Sequence, residues 1–414
     1  MKRWSALPVI LLAAAPVAAQ SEGVDEYTRY ELLAPETASF RILYDVTATT
    51  PGASFFFNPI RQGSIAREES VIDIATGQPL EFEVVSGKTA REAGQTNADL
   101  ETEYIRVRLP RPVPAEGELR IRIDKTYEDK KSYFREGDLI VFDRPLGIRK
   151  NSVVLPAGYE IDSLSVPSQV LSEPDGRLKV SFINSFPGSA GLVLKARRLP
   201  EQGPPATTAP GPPGAATASG TPRLEDSPVP ERAREETEIV YFLEQPESHS
   251  FRLYHDFTET REGADRYLNV VRAGSKVSDP SARVLDTGET LSTSTLRGPE
   301  IEKAGLDVKP LAPDTEVVVV RFPPVKKGQS VRLRIEETYT DPSRYGLSGE
   351  ELLWHRSFGR PHNDVVLPEG WYLTVSSIPA TISTMADGRT RLAFVNPRPD
   401  SIDVFLKARR RRVQ

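Results

Sequence analysis

Apolar side chains recur at every second position through much of this chain. Phe40, Ile42, Tyr44 and Val46 alternate with Arg41, Leu43, Asp45 and Thr47, the period of a strand with one face against a core. Leu119, Ile121 and Ile123 alternate in the same way with Arg120, Arg122 and Asp124. Further strands are predicted at 70–75, 80–85, 104–109, 139–142, 153–155, 159–164 and 192–196. Pro174-Asp175-Gly176-Arg177 reads as a tight turn joining 170–171 to 178–183, since Asp-Gly tolerates left-handed dihedrals. Short strands punctuated by Pro and Gly predict an all-β chain of sandwich-like antiparallel sheets.

The pattern occurs twice. Residues 119–198 reappear without a gap as 331–410, and 30 of those 80 positions are identical. The opening strand returns as Phe251, Leu253, His255 and Phe257 in the same register. Both copies carry a less regular insertion, and proline and glycine punctuation predicts one or two helical turns near 298–305 and a similar piece near 88–93. The domain plan is therefore a leader at 1–19, β-sandwich repeat one at 20–199, a linker at 200–237 and repeat two at 238–414. Between Gln202 and Thr221 the linker is almost entirely Pro, Gly, Ala, Thr and Ser. It lacks the apolar surface needed to offset ordering entropy, which predicts a flexible tether. Residues 231–236 are expected to form a short helix or remain part of the tether.

Composition narrows the setting. Lys2 and Arg3 precede an apolar run from Leu7 to Ala19, too short to span a bilayer with confidence and typical of a cleaved export signal. No later stretch predicts an integral membrane span in the mature chain. The chain has no cysteine, so neither disulfides nor thiolate chemistry is available. These features predict a periplasmic or secreted protein of a bacterial envelope. A net charge of −5 with mixed signs gives no electrostatic footprint for nucleic acid. The one basic cluster, Arg409 to Arg412, reads as a solvated strand end, because repeat one also closes in Lys195, Arg197 and Arg198.

Candidate chemistry is sparse. There is no His-Glu-x-x-His, no Gly-x-Ser-x-Gly and no complete phosphate loop, and no motif calls for a cofactor. The four histidines, His249, His255, His355 and His362, all lie in repeat two, where repeat one has Ala38, Tyr44, Asp143 and Lys150. The stretch 354–364 reads as a functional loop carrying Trp354, His355, Arg356, Arg360, His362 and Asn363, with Trp371 beyond it, as binding residues. His355, His362 and Asp364 are the metal-ligand candidates within it; the competing reading makes the histidines ordinary surface groups. The main functional expectation is an exported, non-catalytic binding protein whose two modules engage a protein or glycan partner. The alternatives are a hydrolase or metal-dependent enzyme with its site in 354–364, and a structural subunit of an envelope assembly.

Overall fold

The computed structural model describes residues 25–185, 188–200, 229–306, 308 and 311–411. The expected leader, most of the linker and Arg412 lie outside these residues. Among the described residues the chain is all-β with two short α-helices, and no described helix is long and apolar enough to cross a membrane.

The first half contains β1 (Tyr27–Leu32), β2 (Ser39–Ala48), β3 (Phe55–Pro59), β4 (Ile65–Asp73), β5 (Phe82–Ser86), α1 (Gly87–Glu92), β6 (Glu103–Arg108) and β7 (Leu119–Glu128). It continues through β8 (Tyr133–Glu136), β9 (Leu139–Leu146), β10 (Lys150–Val154), β11 (Tyr159–Leu164), β12 (Gln169–Ser172), β13 (Leu178–Ile183) and β14 (Ala190–Arg198). The second half repeats this order as β15 (Thr237–Leu243), β16 (Ser250–Glu259), β17 (Arg266–Val270), β18 (Lys276–Val284), β19 (Thr290–Arg297), α2 (Pro299–Lys303), β20 (Glu316–Arg321) and β21 (Val331–Thr340). Then follow β22 (Tyr345–Ser348), β23 (Glu351–Phe358), β24 (His362–Val366), β25 (Trp371–Ser376), β26 (Thr381–Thr384), β27 (Thr390–Val395) and β28 (Ile402–Arg410).

In repeat one a seven-stranded sheet, ordered β12-β13-β10-β1-β2-β7-β4, faces a four-stranded sheet, β11-β14-β9-β8. One continuous core fills the space between them: Phe40 and Ile42 from β2, Ile121 and Ile123 from β7, Phe142 from β9 and Leu194 from β14 are all at most 4% exposed. Each such side chain contributes about 1.5–3 kcal/mol by leaving water, so the alternation seen in the sequence is the force that selects the register. Each half holds one parallel pair in an otherwise antiparallel ladder, β1 with β10 and β15 with β24. This pair matters below, because it sets side by side residues that are distant in sequence.

The halves differ at one sheet junction. In repeat two, β19 pairs with both β18 and β20, so the main sheet runs unbroken through ten strands. In repeat one the corresponding β3-β6-β5 sheet is separate, and the chain entering it meets β4 at a single bridge, Ile72 to Pro79, flanked by the Asp73 amide on the Gln78 carbonyl at 2.9 Å and the Leu80 amide on the Val71 carbonyl at 2.8 Å. Pro79 occupies the position of Thr290, which does pair in the second half.

The repeats meet through a pseudo-twofold seam. The Glu118 amide donates to the Leu285 carbonyl at 2.7 Å, and the Ser330 amide, its counterpart, donates to the Ala75 carbonyl at 3.3 Å. Gly117 permits the approach: a Cβ there would lie 2.6 Å from the Leu285 oxygen. Arg120 of β7 and Arg332 of β21 hold equivalent positions, and each reaches into the opposite half. Arg120 grips Asp286 through two 2.8 Å bonds. Arg332, 2% exposed, pairs with Asp25 at 2.8 Å and Glu118 at 2.9 Å. Burial lifts the Glu118 carboxyl to about 7, against the pull of Arg332.

Two sequence expectations are corrected here. Residues 354–364 are no surface loop: they are the end of β23, a three-residue turn at 359–361, and the start of β24. Trp354, Arg356 and Phe358 alternate inward with His355 and Ser357, and that period-two pattern outweighs Gly359 and Pro361. Residues 231–236 form no helix. Arg232 and Ala233 are buried, and the Arg232 amide donates to the Gln169 side chain of repeat one at 3.0 Å.

Candidate metal centre

The parallel pairing of β15 with β24 sets Glu238 directly beside His362. Two residues along β24, on the same face, stands Asp364. Their ligand atoms converge: one oxygen or ring nitrogen from each lies within 4.8 Å of the others. His362 Nδ1 is 3.4 Å from Glu238 Oε1, and His362 Nε2 is 3.1 Å from Asp364 Oδ1. Asp364 is fully buried and His362 is 6% exposed.

Glu238 Oε1 and Asp364 Oδ1 are both buried and make no well-aligned hydrogen bond; their neighbours are the His362 ring nitrogens and, for Glu238, Arg149 Nη1 at 3.9 Å. A buried acceptor left unmade costs about 1–3 kcal/mol. The remaining Asp364 oxygen, Oδ2, is held by Arg391, whose Nε donates at 2.6 Å from the neighbouring β27. Arg391 thus fixes the carboxylate and leaves Oδ1 turned toward the imidazole. Arg149 of repeat one approaches from across the seam, with Nη2 3.1 Å from His362 Nδ1 and also against Nε2. Burial by itself raises the Glu238 carboxyl, but His362 and then Arg149 outweigh it and hold the group at about 2. The carboxylate is therefore ionised at neutral pH, and because its pull from His362 belongs to the protonated ring, an ion bound here must displace that ring proton. A small cavity of about 20 Å3 adjoins the cluster, walled by Asp25, Lys150, Glu236 and Arg332 as well as Glu238 and His362. That is room for one small ion or one water.

The other candidates go elsewhere. His355 is exposed on β23 and is not part of the cluster; Glu238 takes the third place. Trp354 is fully buried, with ring contacts to Tyr241 at 5.5 Å and Phe251 at 6.2 Å. Arg356, 6% exposed, lies over Tyr241, Phe251 and Tyr339 at 5.1–5.3 Å. Arg144 repeats that arrangement over Tyr30, Phe40 and Tyr127, which marks it as architecture common to both halves. Arg360 meets His255 at 2.8 Å, and burial and then Arg360 keep His255 well below its ordinary value. Asn363 is 1% exposed and donates to the Arg360 carbonyl at 2.8 Å, closing the turn as Asn151 does for Ile148. Trp371 is 2% exposed and donates to Gln245 at 3.0 Å.

Sequence reasoning found two of the three ligands and missed Glu238. It lies at the margin of repeat two, and its partner arrives through a parallel pairing that no local period reveals. The one available signal was the shared histidine face: residues 362 and 364 have the spacing of a strand face, whereas 355 and 362 have none.

The expectation of a purely non-catalytic binding protein is corrected by this cluster. Three converging ionisable ligands, two of them with a buried oxygen that makes no well-aligned hydrogen bond, supply the ingredients of a metal-dependent enzyme. No family model matches the chain, and no curated protein matches it. Among solved structures, it is similar to an M1 zinc metallopeptidase from Deinococcus radiodurans at 13% identity, with 43% of each chain covered and a TM-score of 0.29. A mutant of that enzyme bound to a Tyr-Ser-Ala substrate gives 14% identity, 43% of each chain and a TM-score of 0.28. An aminopeptidase N family protein from Idiomarina loihiensis gives 11% identity, 41% of this chain and 29% of the other, and a TM-score of 0.25. The chain thus covers less than half the length of each, and likeness at these scores carries no argument about activity.

Proposed function

We propose that this chain is a divalent-metal-dependent hydrolase whose ion is held in the second repeat by Glu238, His362 and Asp364. The convergence of three ligand atoms, with two buried carboxylate oxygens that make no well-aligned hydrogen bond, carries the reading. Glu238, His362 and Asp364 would hold the ion, which would supply Lewis acidity and the acidification of a water bound to it. Hydrolysis would have that water add to a carbonyl or phosphoryl centre while the bond to the leaving group breaks and the leaving group takes up one proton, and it would require the cavity of about 20 Å3 to widen for the substrate. One imidazole and two carboxylates suit Zn2+ or Mn2+. Export to the envelope belongs to the same proposal and is supported by the Lys2-Arg3 start and the apolar run that follows.

The test is thermal unfolding of the full chain with Zn2+, Mn2+, Mg2+ or none, followed by assays on chromogenic ester, amide and phosphate substrates with and without chelator. At a hundredfold over its dissociation constant an ion stabilises by about 2.7 kcal/mol. That shift is expected in the wild type and absent in His362→Ala and Asp364→Asn. Hydrolysis is expected to fall with it. No shift with any ion, or an equal shift in both variants, would sink the metal centre; a shift without hydrolysis would sink the enzyme.

A further inference from the structure

A second cavity lies across the same pseudo-twofold axis. It is a cleft of about 610 Å3 between the edges of the two main sheets. Its walls are paired by the repeat: Pro167 faces the role of Pro379, Ile183 that of Val395, and Ser168 that of Ala380. Residues 232–233 close one flank. The volume falls within the roughly 300–1,000 Å3 of small-molecule sites and exceeds what a single side chain fills.

Most polar groups along the cleft are already committed. Gln169 donates to the Pro230 carbonyl and accepts from the Arg232 amide, both at 3.0 Å. Thr381 donates to the Ser185 carbonyl at 2.7 Å. Asn396 donates to the Phe358 and Asp400 carbonyls at 3.0 and 2.7 Å. The one full charge, Arg232, is neutralised by Glu235 at 2.9 Å and donates to the Gly359 carbonyl at 2.9 Å, and its buried Nε–H has no partner. What remains for a ligand is apolar: Val166, Pro167, Ile183, Pro379, Ala393 and Val395. A charged ligand would lose its hydration there and find no counter-ion.

We infer that this inter-repeat cleft is a binding site for an uncharged, apolar small molecule. Hydrophobic burial provides the affinity, and the committed polar rim provides the selection against ions. Ile183 lines both this cleft and the small cavity beside Glu238 and His362, so the two sites are neighbours. The cleft nevertheless stands without the metal, since none of the three ligands lines it.

The experiment is a fluorescence titration of the full chain with N-phenyl-1-naphthylamine, a neutral apolar probe, and with the anion 8-anilinonaphthalene-1-sulfonate. Two variants, Ala393→Trp and Ala380→Trp, each fill the cleft from the repeat-two wall; their folding is checked by thermal unfolding, and either suffices if the other misfolds. The expected result is saturable one-to-one binding of the neutral probe, weakened about tenfold or more in each folded variant, with the anion weaker than the neutral probe by about the same factor. Absence of saturable binding, or equal binding in the filled variants, would overturn the site. Equal affinity for the anion would overturn the assigned ligand class. His362→Ala is expected to bind the probe as the wild type does, which separates failure of the cleft from failure of the metal centre.

Discussion

The two repeats place different chemistry on the same scaffold. Where repeat two has Glu238, His362 and Asp364, repeat one has Tyr27, Lys150 and Ser152, in the same strands and the same register. In repeat one the Tyr27 and Ser152 hydroxyls bond each other at 2.6 Å, Tyr27 donates to Glu231 at 2.9 Å, and Lys150 pairs with Asp25. Those groups complete their own bonds. In repeat two, acceptors replace donors and two oxygens make no well-aligned hydrogen bond. A second pair of positions shows the scaffold tolerating opposite charges. Buried Lys125 of β7 donates to Asn58 Oδ1, while buried Glu337 of β21 accepts from Asn269 Nδ2 at 2.9 and 2.7 Å. An amide offers an acceptor at one end and donors at the other, so one asparagine position serves either neighbour. The backbone pairing is shared, and the site chemistry rests on a few substitutions.

The largest expected effect lies at the seam. Arg332→Ala leaves Glu118 buried without its ion-pair partner and Asp25 with Lys150 alone, which should cost about 3–5 kcal/mol in denaturant unfolding. Arg120→Ala leaves one carboxylate, Asp286, and should cost less; the reverse order would break the account of the seam. Next comes the ion: replacing His362 with Lys copies repeat one, and the roughly 2.7 kcal/mol of metal stabilisation described above should vanish while the fold persists. Loss of fold in His362→Lys would show that the scaffold does not accept the exchange.

The Lys125 and Glu337 sites should then respond to pH with opposite signs. Burial, and then Arg144, lowers the Lys125 ammonium to about 7 from its ordinary 10.5. Between those values the unfolded chain binds the proton and the folded chain does not, so this group's contribution to stability rises with pH by about 1.4 kcal/mol per unit. Lys125→Met should remove that slope between pH 7 and 10. Glu337 is raised by burial above its ordinary 4.5, so its contribution is present below 4.5 and lost as pH rises through the folded value; Glu337→Gln should remove a slope of the other sign. Unchanged slopes in both variants would refute the reading. The smallest expected effect is at Arg149, whose charge competes with an ion at His362. Arg149→Ala should tighten ion binding about tenfold, read by titration; weaker binding would mean that Arg149 supports the site.

Much of the fold was legible because two-residue periodicity reports directly on which face is buried. Phe40, Ile42 and Val46 are in the core, the Asp175-Gly176 turn joins β12 to β13, and both short helices lie close to where proline and glycine placed them. The site was half legible. His362 and Asp364 share a strand face, which spacing reveals. Glu238 reaches them through a parallel pairing specified by the whole sheet, and no local rule carries that. The misread of 354–364 has a related cause: Gly359 and Pro361 suggest a loop, while burial of Trp354 and Phe358 decides for strands. The docked residues 232–233 were hidden for the opposite reason, since Arg232 looks solvent-loving until Glu235 and the Gly359 carbonyl are seen to satisfy it.

The seam has an ancestry written into it. Contacts in which Glu118 meets Leu285 while Ser330 meets the equivalent Ile74, and Ala75 beside it, approximate a self-complementary patch, as in a symmetric homodimer. The protein is in effect such a dimer sewn into one polypeptide. In a true homodimer each substitution appears twice, so a residue good for one site and harmful at its mate is rejected. Fusion removes that constraint, and it lets Lys150 and His362 diverge at one structural address. Fusion also replaces association at cellular concentration by an effective concentration in the millimolar range. A protease cut between Pro200 and Val229 should therefore leave two halves that still travel together at micromolar concentration, held by Arg120, Arg332 and their carboxylates.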